Sequence, residues 1–111
     1  MLNRPNKDYT KQEKLVAEVL SEMGIRYQQQ KRFYRKELNK MGKLKNPLTT
    51  DIYMSDDNIV LECDGNTANH SKKANEKRDK ELLSLGVEKI IHIISYEKED
   101  IKKELEIYFG H

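Results

Sequence analysis

The sequence has little of what crosslinks a chain or anchors it in a membrane. Cys63 is the one cysteine among 111 residues, which excludes an internal disulfide and a zinc site built on cysteine pairs. Apolar stretches are short, and even Ile90–Ile94 is interrupted by His92. Neither a membrane span nor the apolar part of a signal peptide is available. We therefore expect a cytoplasmic protein that contacts no membrane.

Length and patterning predict a single folded domain. A chain of 111 residues is long enough for one core and too short for two. Charged residues make up 36% of the chain, and hydrophobic residues make up the same share. The hydrophobic residues recur at helix and strand spacings, unlike those of a disordered chain. Residues 1–111 are therefore interpreted as one domain with a small core and no linker or repeat.

The net charge of +2 hides a strong asymmetry. Residues 1–50 carry a net charge of +7, and residues 51–111 carry −5. Most of the positive excess lies within residues 26–45, where three aromatic side chains are interleaved. Such a segment suits a polyanion, and a solvated lysine-rich loop is the alternative. The residues expected to contact nucleic acid are Arg26, Lys31, Arg32, Arg35, Lys36, Lys72, Lys73 and Arg78.

The first half of the chain predicts a helix followed by strands. Thr10 and Glu13 form a capping box that opens a helix over about 11–23, and Gly24 ends it. The pattern then favours a strand over 25–34 and a basic connection over 35–46. Two further strands, over 48–54 and 58–64, form an antiparallel hairpin around the turn at 55–57.

The second half predicts a crossover and a closing helix. A helix over 72–85 ends at Gly86, a buried strand follows over 89–94, and a last helix covers 96–109. Strand, helix and strand from 58 to 94 form a right-handed crossover. We therefore expect an α/β fold in the order αβββαβα, with a mixed sheet flanked by helices.

Three carboxylates are predicted to converge on this sheet. Side chains alternate along a strand, so Glu62 and Asp64 share one face about 7 Å apart. The hairpin brings Asp51 near both of them. Three unpaired carboxylates would raise each other's pKa values, and a divalent cation keeps them ionised together. Oxygen ligands favour Mg²⁺ or Mn²⁺ over zinc, whereas a solvated strand face is the alternative.

Glu13 has two interpretations. A capping role at the third helical position accounts for it without any function. Glu13 also lies beside the buried stripe of the first helix, from which it would point over the sheet toward the metal. The two roles are hard to combine in one side chain.

Three other polar residues also carry alternatives. His70 follows the acidic strand and is interpreted either as a proton shuttle or as a solvated loop histidine. Arg78 interrupts an apolar helix stripe, which indicates a charge aimed at the acids or at a phosphate, or a plain salt bridge. His92, within a buried strand, is interpreted as a hydrogen-bonded core or edge histidine.

Taken together, these motifs resemble a known family. They are Thr10 and Glu13 opening a helix, Asp51, the string from Ile59 to Gly65, His70, and Arg78-Asp79 followed by Leu82-Leu83 and Gly86. The pattern is similar to the very-short-patch-repair-type endonucleases. It is closer still to their small relatives in the PD-(D/E)XK nuclease superfamily, with a Glu-x-Asp-Gly strand. The resemblance covers roughly residues 9–95.

The resemblance implies a restriction-endonuclease-like core and Mg²⁺-dependent phosphodiester hydrolysis. Asp51 is then the central metal ligand, Glu62 and Asp64 are further acidic site residues, Glu13 is a supporting acid, and His70 assists catalysis. The chain departs from the family pattern where Asp64 replaces the usual lysine. It departs again in the longer spacing before His70 and in His92, which replaces an arginine.

The function expected from the sequence is a Mg²⁺- or Mn²⁺-dependent DNA endonuclease, a hydrolase that needs no small-molecule cofactor. Asp51, the Cys63 carbonyl and Glu62 or Asp64 hold the metal, while the basic segment grips phosphates without reading sequence. One site nicks one strand, and cutting both strands takes a homodimer or two events. A non-catalytic nucleic-acid-binding module and a ribonuclease on the same fold are the alternatives.

Overall fold

Helices and strands follow one another much as the apolar patterns predict. A computed structural model describes residues 10–63 and 72–109, the second range with side chains from residue 75 onward. Its helices are α1 (Lys11–Glu22), α2 (Lys72–Ser84) and α3 (Lys98–Phe109). Its strands are β1 (Gln28–Gln29), β2 (Arg32–Phe33), β3 (Leu48–Thr49), β4 (Ile52–Met54), β5 (Ile59–Cys63) and β6 (Lys89–Ile93).

The main sheet is mixed, as expected. Its strand order is β1-β4-β5-β6, with β4 antiparallel to both β1 and β5. Strand β6 is parallel to β5, so α2 is the connection between two parallel neighbours. Strands β2 and β3 form a separate antiparallel ribbon. The predicted α/β class with a mixed sheet flanked by helices is confirmed.

The prediction of one strand over 25–34 is wrong, and the strand over 48–54 is also divided. Gln30 has a φ of 55°, a left-handed conformation that breaks the extended backbone between β1 and β2. Opposite this break, the buried Thr50 donates its hydroxyl to the Lys31 carbonyl at 3.0 Å. The chain therefore passes from the main sheet into the ribbon and back again.

The helix boundaries agree closely with their local signals. Both hydrogen bonds of the capping box at Thr10 and Glu13 are present. Gly86, with a φ of 108°, follows α2 in a backbone conformation that favours glycine. Helix α3 begins two residues later than predicted. None of the helices in the described parts of the chain is long and apolar enough to cross a membrane.

The core lies on both faces of the sheet. On one face α1 and α3 pack over the strands, with Leu20, Leu61 and Ile101 fully buried. On the other face Val60 packs against α2, and the ribbon covers the neighbouring positions. Because side chains alternate along β5, Glu62 shares the α2 face with Val60. This alternation sets the position of the acidic site.

Candidate functional site

Asp51 and Glu62 meet where β4 begins and β5 nears its end. The Asp51 backbone N–H donates to Glu62 Oε2 at 3.1 Å. In return, the Cys63 backbone N–H donates to Asp51 Oδ2 at 2.8 Å. The antiparallel register, with Ile52 opposite Leu61, produces this arrangement. The structure thus brings together the two acids that the predicted hairpin pairs.

Glu13 is the third carboxylate at this point. Its Oε1 accepts a hydrogen bond from the Thr10 backbone N–H at 3.1 Å, and its carboxyl group also hydrogen-bonds Asp51. Burial, the hydrogen bond with Asp51 and the Asp51 charge raise the pKa of Glu13 to about 7. Capping and membership of the acidic cluster, which seemed hard to combine from the sequence, are combined in one side chain.

Glu62 is buried against a cation from α2. Its side chain is 7% exposed, and its Oε1 accepts from Arg78 Nε at 3.1 Å and Nη2 at 2.8 Å. Arg78 Nη2 also donates to the Thr49 carbonyl at 2.6 Å. Burial and the Asp51 charge raise the pKa of Glu62 to about 7 even though Arg78 opposes the shift. Arg78 therefore contacts the acidic cluster through an ion pair with Glu62.

Asp79 and His92 belong to the same site, although neither was predicted as a site residue. His92 lies opposite Glu62 in the parallel register of β5 and β6. Its Nε2 is 2.7 Å from Asp79 Oδ2, so the prediction of a hydrogen-bonded histidine is confirmed. Asp79 Oδ1 is buried without a hydrogen-bond partner in the described part of the chain. The sequence signal for His92 was a polar residue within an otherwise apolar strand, whereas Asp79 stood out only as part of the Arg78-Asp79 pair in the family resemblance.

These side chains surround one cavity of about 390 Å³ near the carboxyl ends of the parallel strands β5 and β6. Open α/β sheets commonly bind ligands at such an edge. The residues that line the cavity are Glu13, Asp51, Glu62, Cys63, Asn75, Arg78, Asp79 and His92. Acidic and basic groups therefore face the same small volume.

The described residues do not form a complete metal site, although two of them carry the oxygen ligands that a hard divalent cation prefers. Within residues 10–63 and 72–109, no group of three or more His, Cys, Asp and Glu side chains has metal-binding geometry. Asp51 and Glu62 nonetheless present adjacent carboxylate oxygens, which Mg²⁺ and Mn²⁺ prefer. Two predicted site residues, Asp64 and His70, lie outside the described residues.

The basic residues at the start of the positive segment lie away from the carboxylates or in contact with aromatic rings. Arg26 pairs with Asp56 in the β4–β5 turn, at the opposite end of the hairpin from Asp51. The structure therefore does not bring Arg26 to the acidic cavity. Lys31 Nζ lies 5.7 Å from the ring centroid of Phe33 and 5.8 Å from that of Tyr53.

The later basic residues lie nearer to α2. Arg35 forms a two-point ion pair with Glu81 of α2, with distances of 2.6 and 2.9 Å. Arg32 and Lys36 are exposed. The side chains of Lys72 and Lys73 lie outside the described residues. Of the predicted nucleic-acid contacts, Arg35 and Arg78 thus lie at α2, and Arg32 lies in the ribbon.

Comparison of the chain with protein-family models, curated proteins and solved structures finds no match.

Proposed function

We propose that this protein is a metal-dependent endonuclease that hydrolyses phosphodiester bonds in DNA. The observation that carries the proposal is the convergence of the Glu13, Asp51 and Glu62 carboxyl groups in one cavity. A restriction-endonuclease-like core, as in the PD-(D/E)XK nucleases that the sequence motifs resemble, would present its acids in this way. The mixed sheet, with α2 between its parallel strands, is compatible with such a core.

The acidic cluster lowers the free energy of unfolding near neutral pH, and a purely structural role does not explain such a cluster. The pKa values of Glu13 and Glu62 are both raised to about 7. Near neutral pH the fold must therefore tolerate two buried carboxyl groups that resist ionisation beside Asp51. Perturbed acids in a cavity are typical of functional sites. A bound cation would relieve the repulsion between these carboxylates, and this relief would contribute to the affinity for the cation.

The carboxylates of the acidic cluster and Arg78 have distinct roles in this proposal. Asp51 and the Cys63 carbonyl would hold the cation, together with Glu62 or Asp64. The bound cation would polarise the phosphate and lower the pKa of a water molecule. Glu13 buttresses Asp51 through their hydrogen bond. Arg78 holds Glu62 in place and adds positive charge at the rim of the cavity, where a phosphate would enter.

The substrate is proposed to be DNA bound through its phosphates. Exposed basic residues such as Arg32 and Lys36 would contact the backbone without reading its sequence. The described residues of one copy form one acidic cavity, so one copy would nick one strand. Double-strand cleavage would take a homodimer or two events.

A nicking assay tests the proposal. Supercoiled plasmid and labelled single-stranded, duplex, mismatched and branched DNA are incubated with the protein in Mg²⁺, in Mn²⁺ and in EDTA, and matched RNA strands are included. We expect metal-dependent nicking of DNA that Asp51→Asn abolishes. Asp57→Asn is the matched control, because it makes the same chemical change at an exposed turn residue and should leave nicking intact.

Other outcomes would contradict parts of the proposal. Activity that survives in EDTA or in Asp51→Asn would point to a contaminant or to different chemistry. Cleavage of RNA alone would make the protein a ribonuclease.

A second candidate function is a non-catalytic nucleic-acid-binding module. The Arg78 ion pair favours it, because it supplies Glu62 with a cation from the chain itself. Salt-sensitive DNA binding without cleavage in either metal would support this candidate and overturn the nuclease.

A further inference from the structure

A second cavity of about 200 Å³ lies beside the acidic one, between α2 and the segment that carries the ribbon. Its lining residues are Arg35, Leu48, Lys77, Arg78 and Glu81. Three of these five side chains are basic, whereas the acidic cavity is lined by four carboxylates. We call this second cavity the basic groove.

The basic groove and the acidic cavity meet at Arg78, which lines both. One end of the guanidinium group binds Glu62 inside the acidic cavity. The Nη2 atom of Arg78 also donates a hydrogen bond to the Thr49 carbonyl of the ribbon. A chain of phosphates that passes over this side chain would run from one cavity to the other.

The positive charge of the groove rests on Lys77, because Glu81 pairs with Arg35 and Glu62 pairs with Arg78. Glu81 forms the two-point ion pair with Arg35, and both side chains are only 20% exposed. The exposed Lys77 then contributes the positive charge available to a ligand. Lys77 lines the groove opposite Arg35 and Leu48 of the segment that carries the ribbon.

We propose that the basic groove binds a backbone phosphate of the nucleic acid close to the phosphate that is cleaved, with Lys77 as its principal contact. This inference rests on the proposed nuclease function and deepens it, because it gives the substrate strand a path. The strand runs from the acidic cavity over Arg78 and along α2. Backbone phosphates suit such a groove because lysine binds them as a point charge, without a demand for base identity.

The test measures DNA affinity by fluorescence anisotropy at several salt concentrations, in EDTA so that no strand is cut. The variant is Lys77→Gln. One control is Lys80→Gln, a lysine of the same helix that does not line the groove, and the other is Lys103→Gln on α3, across the sheet. All three lysines are exposed. We expect Lys77→Gln to weaken binding several-fold and to reduce the salt slope by roughly one phosphate contact.

A neutral-phosphate scan locates the contact on the substrate. Oligonucleotides with single methylphosphonates are bound by the wild-type protein and by Lys77→Gln. At one position, the methylphosphonate should weaken binding by the wild-type protein but not binding by Lys77→Gln. This position should lie within a few nucleotides of the nicked bond.

The outcomes separate this inference from the function on which it rests. If the wild-type protein nicks DNA but Lys77→Gln and Lys80→Gln lose equal affinity, the groove is overturned and the nuclease stands. A sensitive phosphate far from the nicked bond would also overturn the groove. Absence of nicking by the wild-type protein in both metals overturns the nuclease, whatever the variants bind.

Discussion

Replacing Glu13 with glutamine should stabilise the protein at alkaline pH. Glutamine suits the third position of a capping box as well as glutamate does. It also retains a group that can hydrogen-bond Asp51 but carries no charge. The substitution therefore removes the repulsion between the two carboxyl groups and keeps the local geometry of α1.

The sign follows from the raised pKa of Glu13, about 7 in the folded protein against an ordinary value of 4.5. Between these values the folded state binds more protons than the unfolded state. The free energy of unfolding therefore falls as pH rises through this range and is level above it. A shift of this size corresponds to roughly 3 kcal/mol. Because Glu13 borders an open cavity, we expect about half of that.

The assay is thermal unfolding of the wild-type protein and Glu13→Gln at pH 5 and pH 8.5. A gain of about 1.5 kcal/mol corresponds to a rise in Tm of roughly 6 °C for a domain of this size. This gain should appear at pH 8.5 and nearly vanish at pH 5, where the wild-type side chain is protonated. The exposed Glu88→Gln is the matched control and should change Tm little at either pH.

An equal effect of Glu13→Gln at both pH values would refute the reasoning. Glu13 would then act as a helix cap alone, and the carboxyl cluster would not strain the fold. A loss of stability at pH 8.5 would be stronger evidence still, because it would mean that the negative charge at this position is favourable.

Three further perturbations test other parts of the site. Arg78→Ala should lower the free energy of unfolding in urea by about 2 kcal/mol at pH 8.5, because it leaves the buried Glu62 carboxylate without its cation. Adding Glu62→Gln should recover most of the loss, and absence of recovery would mean that packing dominates. Mg²⁺ at a hundredfold excess over its Kd should stabilise the wild-type protein by about 2.7 kcal/mol, and an equal rise in Tm for Asp51→Asn would exclude that carboxylate as a ligand. Gln12→Ala should lower the free energy of unfolding by about 2 kcal/mol, because the buried Gln12 amide donates to the Ile93 and Ser95 carbonyls. A loss no larger than that of the exposed Lys14→Ala would show that these bonds contribute little.

Much of the fold was predictable because it depends on local signals. The capping box at Thr10, the glycine after α2 and the helical spacing of apolar residues each act within a few positions of the chain. The hairpin is nearly as local, because its turn joins strands that are adjacent in sequence. This locality is why the pairing of Asp51 with Glu62 followed from the sequence.

The breaks in the strands were not predictable in the same way. Residues 25–34 have a composition that suits one continuous strand, but Gln30 adopts a left-handed conformation. The bond from the Thr50 hydroxyl to the Lys31 carbonyl accompanies this break. Those two residues are 19 positions apart, and local β-propensity holds no information about such a contact.

The sequence by itself determined the order of the helices, the helix ends and the hairpin that pairs two acids, but not the breaks that divide two of the predicted strands. Only the tertiary structure decided that Glu13 reaches Asp51, that Arg78 binds Glu62, and that Asp79 and His92 complete the cavity. Each of these contacts joins different elements across the sheet. Periodicity shows which face of an element is buried, but the packing of helices on the sheet decides which polar side chains meet at its edge.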